Sequence, residues 1–506
     1  MVFTAAPPFH QQLPDPRRQT RTPVTATRVS RPALIAASVA GAIGAVFWRI
    51  DELGLGTTIT GIAILALVVA TAPDEFRDDQ RQYWIPLTAG IAGLLAVPLF
   101  LDADWVGGIC LFVAICASLL LFLRAHNLAG VWFAALSPAV APLFALVEPF
   151  RHRSRTDTTA TTRRARIRLG LLALAVAAVT AVLLVVFGAL FAGADPTFGK
   201  LFDIDLSNPL SADVVAAIFA GLFIAWVTLT GALLTRVEIA VGAESDAPAR
   251  RYPPVWTWAV PIGALLALFV LFLVMQARAL FGGDDYVQRT ANLTYSQYAV
   301  RGFWQLLVVT LLVIVVATAA WWFIDRSDAR QRRTTRVLLG GLCAATLLVV
   351  VSAFLRMERY INAYGATRDR VFGLYFEVFL AAVIIALMAV GINFDARPLV
   401  RRVILLTVFS TLGFALLNPD QLIAKTNIDR ASSTQKVDAW YLGSLSADAY
   451  GQIQRLPQPA RGCAMWRLEI RQPIDPSWRD FNVARNQLPA RPVDGGEPAG
   501  CGTFRD

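Results

Sequence analysis

At least eleven apolar stretches run through the chain between Ala33 and Leu417, and each is long enough to cross a lipid bilayer as a helix. A hydrocarbon core of about 30 Å takes roughly 20 apolar residues in helical form. A mean hydropathy of +0.54 agrees with a membrane location. We therefore predict an all-α fold, a polytopic transmembrane helix bundle of about eleven crossings. The predicted crossings are 33–49, 55–72, 85–101, 105–123, 169–193, 213–235, 255–276, 303–324, 337–355, 371–392 and 399–417.

One further apolar stretch, Leu128–Phe150, does not fit a simple crossing. It contains three prolines and lies between Arg124 and the basic run 151–168, both of which favour the cytoplasmic side. We interpret it as a re-entrant or interfacial helical hairpin. An ordinary kinked crossing is the alternative, and it would reverse the first four helices and leave the N-terminal arginines outside.

The distribution of basic residues predicts the orientation. With the N-terminus inside, 26 of the 46 Lys and Arg residues fall in inner segments, nine in short outer loops and 11 in the C-terminal tail. Lys and Arg concentrate on the cytoplasmic side of membrane proteins. We expect a multi-pass protein of the bacterial plasma membrane with a cytoplasmic N-terminus and an extracytoplasmic C-terminus.

Composition divides the chain into five parts. Residues 1–32, rich in Pro, Thr and Arg, are expected to be disordered and cytoplasmic. Residues 33–150 hold the first membrane helices and the proline-broken segment, 151–168 form a basic cytoplasmic linker, and 169–417 form the membrane core. Residues 418–506 form a polar, exported C-terminal region.

The five cysteines fall into two groups. Cys110, Cys116 and Cys343 lie inside predicted membrane helices, where thiols usually serve as small packing residues. Cys463 and Cys501 are the only pair in the exported tail. Because an oxidising compartment favours disulfides, we predict a bridge between these two.

Several chemistries lack their usual residues. The chain has three histidines, all in predicted cytoplasmic segments, and no Cys/His metal spacing, so we expect no metal and no cofactor. It has no phosphate-binding Gly-rich loop and no Gly-x-Ser-x-Gly motif. Asp-x-Asp occurs at Asp102–Asp104 and Asp203–Asp205, where helix capping or solvated loops are the simpler interpretation. Membrane lipids, not nucleic acid, are the expected partners.

Polar residues gather at the predicted outer ends of the last helices. Four arginines between Arg356 and Arg370 lie where the positive-inside rule disfavours them. Either internal ion pairing or an anionic ligand would account for such charges, and both interpretations stay open. The candidate ligand-binding residues are Tyr295, Tyr298, Arg301, Arg356, Arg359, Tyr360, Tyr364, Arg368, Glu377, Asn418 and Asp420.

Glu377 is the most informative single residue because it lies inside a predicted crossing. A carboxylate at that depth is costly unless it is paired, protonated or facing water. Arg301, Arg356 and Arg370 are the candidate partners. A buried Glu–Arg pair that ties helices together is the alternative to a ligand-binding role.

Four strings in the second half of the chain resemble a bacterial membrane family. They are Leu293–Phe303, Arg356–Arg368, Leu417–Lys425 and Asp438–Ser446. The family is a domain of unknown function, numbered four-one-seven-three and close to four-one-five-three. It usually has Leu-Thr-Arg-Leu-Arg where this chain has Ala366-Thr-Arg-Asp-Arg370. The resemblance implies fold and location, and it implies no reaction.

Three classes of function fit these observations. The preferred one is a non-enzymatic membrane protein that recognises an anionic lipid or envelope component at the outer arginines and tyrosines. A transporter or flippase is the second, favoured by the proline-broken segment and Glu377. An extracytoplasmic lipid-linked glycosyl or phosphoryl transferase is the third, for which the Asp-x-Asp pairs are the only support.

Overall fold

The described part of the protein is helical, with no strand among the described residues. The structure is a computed structural model, and it describes residues 30–48, 53–73, 81–123, 212–235, 254–281, 295–321, 324, 328–394, 398–434, 437–472, 477–489, 496–498 and 501–504. The helices of the bundle are α1 Arg31–Phe47, α2 Leu55–Thr71, α3 Arg81–Phe100, α4 Asp104–Phe122, α5 Ala212–Leu234, α6 Val255–Phe281, α7 Tyr295–Ala320, α8 Ala329–Tyr364, α9 Arg368–Asn393 and α10 Leu399–Leu416. Beyond them lie α11 Pro419–Thr434, α12 Ala439–Leu442, α13 Tyr450–Ile453 and α14 Ala460–Glu469.

Seven of the described helices are long and apolar enough to cross a membrane, namely α3, α4, α5, α6, α8, α9 and α10. Shorter apolar segments of α1, α2 and α7 fall at three further predicted crossings. The all-helical membrane architecture is thus confirmed, while the count of eleven crossings remains a prediction. The predicted crossing 169–193, the hairpin 128–150, the linker 151–168 and nearly all of 1–32 lie outside the described residues.

Helices α1 and α5 pack at very short range through small residues. A Cβ atom added to Gly41 would lie 2.8 Å from the Ala225 Cβ and from the Gly221 carbonyl oxygen. A Cβ on Gly221 would meet Ala45 and Gly41 equally closely. Lipid tails are as apolar as leucine, so membrane helices associate largely through such close backbone approach.

The described helices form two apolar packing groups, and α10 joins the group formed by earlier helices of the chain. Buried residues of α2–α5 form one apolar cluster, which Ile404, Val408 and Ala415 of α10 join. Buried residues of α6–α9, α11 and the tail form the other. Because α10 also packs against α9, it connects the first half of the bundle to the second.

The described loops lie at two ends of the bundle. At one end, which we call the tail face, the tail reaches the loops before α2 and α4: the Leu55 N–H donates to the Phe481 carbonyl at 2.9 Å. At the opposite end, the Arg401 guanidinium lies 5.6 Å from the centre of the Tyr83 ring. Arg336 there donates to the Ile392 carbonyl at 3.0 Å.

The tail is a compact helical region that packs on the bundle. Asn482, which is buried, donates through its side-chain amide to the carbonyls of Pro98 and Leu101, each at 2.8 Å. These groups end α3 and would otherwise lack helical partners. The predicted disulfide joins Cys463 and Cys501, so it ties α14 to the final 3₁₀ turn of the tail.

Candidate functional site

The Asn-Pro-Asp string makes the sharp turn from α10 into α11. Asn418 has a left-handed backbone with φ of 49°, a conformation that Asn tolerates better than most residues. Its side-chain oxygen accepts from the Gln421 N–H at 3.3 Å, as in an N-cap. Pro419 follows as the first residue of α11, a position that needs no N–H donor. The turn places Asp420 at the tail face of the bundle.

Asp420 is fully buried and accepts four hydrogen bonds. Arg368 donates to both of its oxygens, from Nε at 3.0 Å and from Nη2 at 2.5 Å. The Trp105 indole donates at 3.0 Å and the Ser446 backbone N–H at 2.8 Å. These donors come from α9, α4 and the tail. Two halves of the bundle and the tail therefore meet at one carboxylate, which we call the Asp420 node.

Electrostatics favour the ionised form of Asp420. Burial alone would raise its pKa, but the hydrogen bond and charge of Arg368, with the bonds from Ser446 and Trp105, hold the pKa below its usual range. The Tyr441 hydroxyl accepts from the Arg368 backbone N–H at 3.1 Å and so also helps to fix the start of α9. The charge of Arg368 is therefore neutralised by Asp420 within the fold.

A second acidic pair, Asp102 and Asp448, lies at the same face. One oxygen of Asp448 accepts from the backbone N–H groups of Asp102 and Ala103, both at 2.9 Å, and from the Ser446 hydroxyl at 2.8 Å. Asp102 in turn accepts from the Ala447 N–H at 2.8 Å. We call this reciprocal arrangement the Asp102–Asp448 clasp.

The two carboxylates of the clasp differ in their environment. Arg485 forms an ion pair with Asp102 at 2.7 Å. Asp448 is buried, and this burial, with the nearby charges of Asp102 and Asp420, raises its pKa to about 6 despite the bond from Ser446. Within the described ranges, no cluster of three or more His, Cys, Asp or Glu side chains is placed to hold a metal ion.

The C-terminal end of α8 carries a different cluster of arginine and tyrosine. The Arg370 guanidinium lies 4.3 Å from the centre of the Tyr360 ring and donates to the Tyr360 hydroxyl at 3.2 Å. It also donates to the carbonyls of Tyr364 and Gly365. The Tyr360 and Tyr364 rings are 4.8 Å apart. Stacking on an aromatic ring holds the guanidinium in a fixed orientation.

The loop between α8 and α9 is held by α11. Gly365 has φ of 87°, and a Cβ there would lie 2.5 Å from the Asn427 side-chain oxygen, so only glycine fits. Asn427 accepts from the Ala366 N–H at 2.7 Å and donates to the Ala366 carbonyl at 2.8 Å. This loop fixes the residue at which α9 begins. From that start, the Arg368 side chain reaches Asp420 and the Arg370 side chain reaches Tyr360.

Glu377 lies within the bundle rather than at its face. It is fully buried in α9, and its Oε1 lies 3.5 Å from the Thr310 hydroxyl of α7. Its Oε2 has no hydrogen-bond partner among the described residues. The contact that the structure describes for Glu377 is thus with a threonine, not with an arginine.

The structure brings some of the predicted site residues together and separates others. Arg368 and Asp420 bind each other, and Asn418 approaches Asp448 at 3.5 Å. The residues at the end of α8 differ in exposure: Tyr360 is buried, Arg356 is half-buried, and Arg359 and Tyr364 are exposed. Tyr295, Tyr298 and Arg301 fall in the first turns of α7, and their side chains lie outside the described residues.

Sequence reasoning missed the partners that complete the two acidic centres: Asp102 as a clasp residue, Trp105, Ser446, Asp448 and Arg485. The Asp-x-Asp pattern did single out Asp102, but the capping interpretation gave it no distant partner. Ser446 ends one of the strings that resembled a family, and Asp448 follows two residues later. The Asp-x-Asp pattern and this string were the sequence signals that could have found these residues.

Three of the four family-like strings supply residues to the Asp420 node, namely Arg368, Asp420 and the pair Tyr441 and Ser446. The comparisons with curated proteins and with solved structures return no match. A family model described as a domain of unknown function, DUF4153, matches residues 88–456, which include both acidic centres except Arg485. The match covers well over half of the sequence, and the chain belongs to this family, the second of the two numbers that the strings suggested.

Proposed function

We propose that this membrane protein recognises an anionic, phosphate-bearing lipid headgroup at the tail-face end of α8. The site comprises Arg359, Tyr360, Tyr364 and Arg370. One observation carries the proposal. The Arg370 guanidinium is held over an aromatic ring by neutral groups, whereas Arg368, two residues earlier, is neutralised by a buried carboxylate.

The length of α8 supports a site at headgroup level. The helix has 36 residues and is therefore about 54 Å long, well beyond the roughly 30 Å of a hydrocarbon core. Its uncharged stretch ends before Arg356, so the last turns extend past the apolar layer. Arginine and tyrosine at this level place their polar ends among the headgroups.

The chemistry of the end groups supports an anionic ligand. Among the described residues, Arg370 donates to the Tyr360 hydroxyl and to two backbone carbonyls, all of which are neutral. Arg359 adjoins Tyr360 in the chain and is exposed. Guanidinium groups bind phosphate through forked hydrogen bonds, and a ring-stacked guanidinium loses little freedom when it does so.

Lipid binding to the purified chain in nanodiscs tests the proposal. We expect the wild-type protein to prefer phosphatidylglycerol over phosphatidylcholine. Each of the substitutions R359Q and R370Q should lower that preference about fivefold, because a basic residue near an anionic surface contributes about 1 kcal/mol. R461Q removes the same charge from an exposed position of α14 and is the matched control.

Soluble glycerol phosphate distinguishes a lipid site from a site for free phosphate. If the headgroup is bound as part of a lipid, millimolar glycerol phosphate should not displace it, because the acyl chains contribute to binding. Complete displacement would reassign the site to a soluble anion. An undiminished preference for phosphatidylglycerol in the folded R359Q/R370Q double variant would overturn the proposal.

A further inference from the structure

We propose that Glu377 and Thr310 form a buried proton-binding site between α9 and α7, with Glu377 neutral in the fold described above. The site is separate from the headgroup site and does not depend on it. Glu377 is nine residues after Arg368, which places it about 14 Å along α9 from the tail face. It is the only ionisable carboxyl in the predicted crossing 371–392, and it is fully buried.

The hydrogen bonds around Glu377 do not suit an ionised carboxylate. Thr310 is 3.5 Å from Oε1, but its hydroxyl has a single hydrogen, which it donates to the Leu306 carbonyl at 2.9 Å. Oε2 has no partner among the described residues. An ionised carboxylate without donors or a cation is strongly destabilised at this depth.

A neutral carboxylic acid fits the same atoms. Once protonated, Glu377 becomes a donor, and the Thr310 oxygen keeps a free lone pair after it has donated to Leu306. The acid hydrogen can therefore point at Thr310, and both groups are then compatible with burial. The missing donor at Oε2, the free lone pair of Thr310 and the full burial of Glu377 all favour the protonated carboxyl.

The helices that pack against α9 supply no charge at this depth. The main ones are α7, α8, α10 and α11. Trp105 of α4 also contacts Phe372 near the start of α9, and α4 has no charged residue after Asp104. By sequence, α7 has no charged residue after Arg301, α8 has none between Arg336 and Arg356, and α10 has none after Arg402. Asp420 of α11 faces the start of α9 and is bound to Arg368.

A proton is a better occupant than a metal cation. Hard cations are coordinated by several oxygen ligands at once. Here the described polar side chains are one carboxyl and one hydroxyl, whose oxygens are 3.5 Å apart. A carboxyl that exchanges a proton inside the membrane is a typical component of a proton-coupled mechanism.

Infrared spectroscopy of the full chain in nanodiscs tests this site. We expect a protonated-carboxyl carbonyl band at neutral pH that shifts in heavy water and is lost in E377Q. The band should persist in D448N, which removes a buried carboxyl of the tail whose pKa is raised to about 6. The substitution T310V keeps Glu377 but removes its acceptor, and it should shift the band without removing it.

Two results would overturn the assignment. One is a protonated-carboxyl band that is the same in folded E377Q as in the wild type, which would show that this band does not come from Glu377. The other is loss of the wild-type band when sodium replaces a bulky organic cation, which would show a metal-cation site instead. If E377Q fails to fold, T310V alone decides, since an unshifted band there would also contradict the site.

Discussion

Asp102 and Asp448, 346 residues apart in the chain, each accept hydrogen bonds from the other's backbone segment. The Asp448 carboxylate accepts from the N–H groups of the two residues just before α4, and the Asp102 carboxylate accepts from the N–H of Ala447. Each side chain thus satisfies donors of a loop that would otherwise need water. The pair holds the tail against the first half of the bundle.

Loss of the clasp should release the tail. We expect D448A to destabilise tail docking by a few kcal/mol, because it leaves the buried N–H groups of Asp102 and Ala103 without an acceptor. Limited proteolysis should then cut the tail faster than in the wild type. E358Q, at an exposed residue of α8, should leave the cleavage rate unchanged. Equal rates in D448A and the wild type would show that the clasp does not hold the tail.

Docking of the tail should strengthen in mild acid. The pKa of Asp448 rises from an ordinary value of 3.8 to about 6, so between these values the folded protein binds more protons than the unfolded chain. The contribution of Asp448 to stability therefore increases as pH falls through about 6 and levels off near 4, by a few kcal/mol at most. The lowered pKa of Asp420 acts in the opposite sense, since its stabilisation is lost below about pH 4.

The pH dependence is measured by thermal unfolding of the purified protein. D448N imitates the protonated carboxyl, so its melting temperature should vary less between pH 7 and pH 5 than that of the wild type. A wild-type protein that loses stability steadily over this range would contradict the role assigned to Asp448.

Removing one member of the Arg368–Asp420 pair should be far more harmful than removing an exposed pair. R368Q leaves a buried carboxylate without its cation, which typically costs about 3–5 kcal/mol. R455Q breaks a pair whose side chains are about half exposed, and it should cost under about 1 kcal/mol. Thermal unfolding compares the two. The R368Q/D420N double variant should lose less than the sum of its single variants, and strict additivity would argue against direct coupling.

The contact between α1 and α5 should not tolerate a methyl group. G41A and G221A each introduce a Cβ at 2.8 Å from backbone or side-chain atoms of the facing helix, so we expect about 1–3 kcal/mol of destabilisation. G108A makes the same chemical change in α4, where a Cβ meets nothing within 4 Å, and serves as the control. Wild-type melting temperatures for G41A and G221A would exclude close packing at this contact.

The Cys463–Cys501 bridge should stabilise the tail. The two cysteines are 38 residues apart, and closing a loop of this length contributes about 4 kcal/mol by the chain-entropy estimate. The C463S/C501S variant should therefore unfold its tail at a lower temperature than the wild type. A reducing agent should have no further effect on that variant, and an effect there would point to another target.

Much of the architecture followed from the sequence alone. Apolar stretches separated by polar loops predicted a helical membrane bundle because backbone groups in lipid must bond locally. The two cysteines of the tail, which we expected to be exported, were correctly predicted to pair with each other. The strings around Arg368, Asp420 and Ser446 indicated the family and, without showing why, the residues that meet in the node.

The arrangement of those residues could be decided only by the tertiary structure. Local patterns predicted that Arg368 and Asp420 share a membrane face, but the path of α10 between two packing groups determines that they touch. Asp102 and Asp448 become partners because the tail folds back over the loop before α4. Helix formation depends on neighbours within four residues, whereas the partner of a buried charge can come from any part of the chain that packing brings near. Packing of this kind pairs Arg368 with Asp420 and stacks Arg370 on the Tyr360 ring.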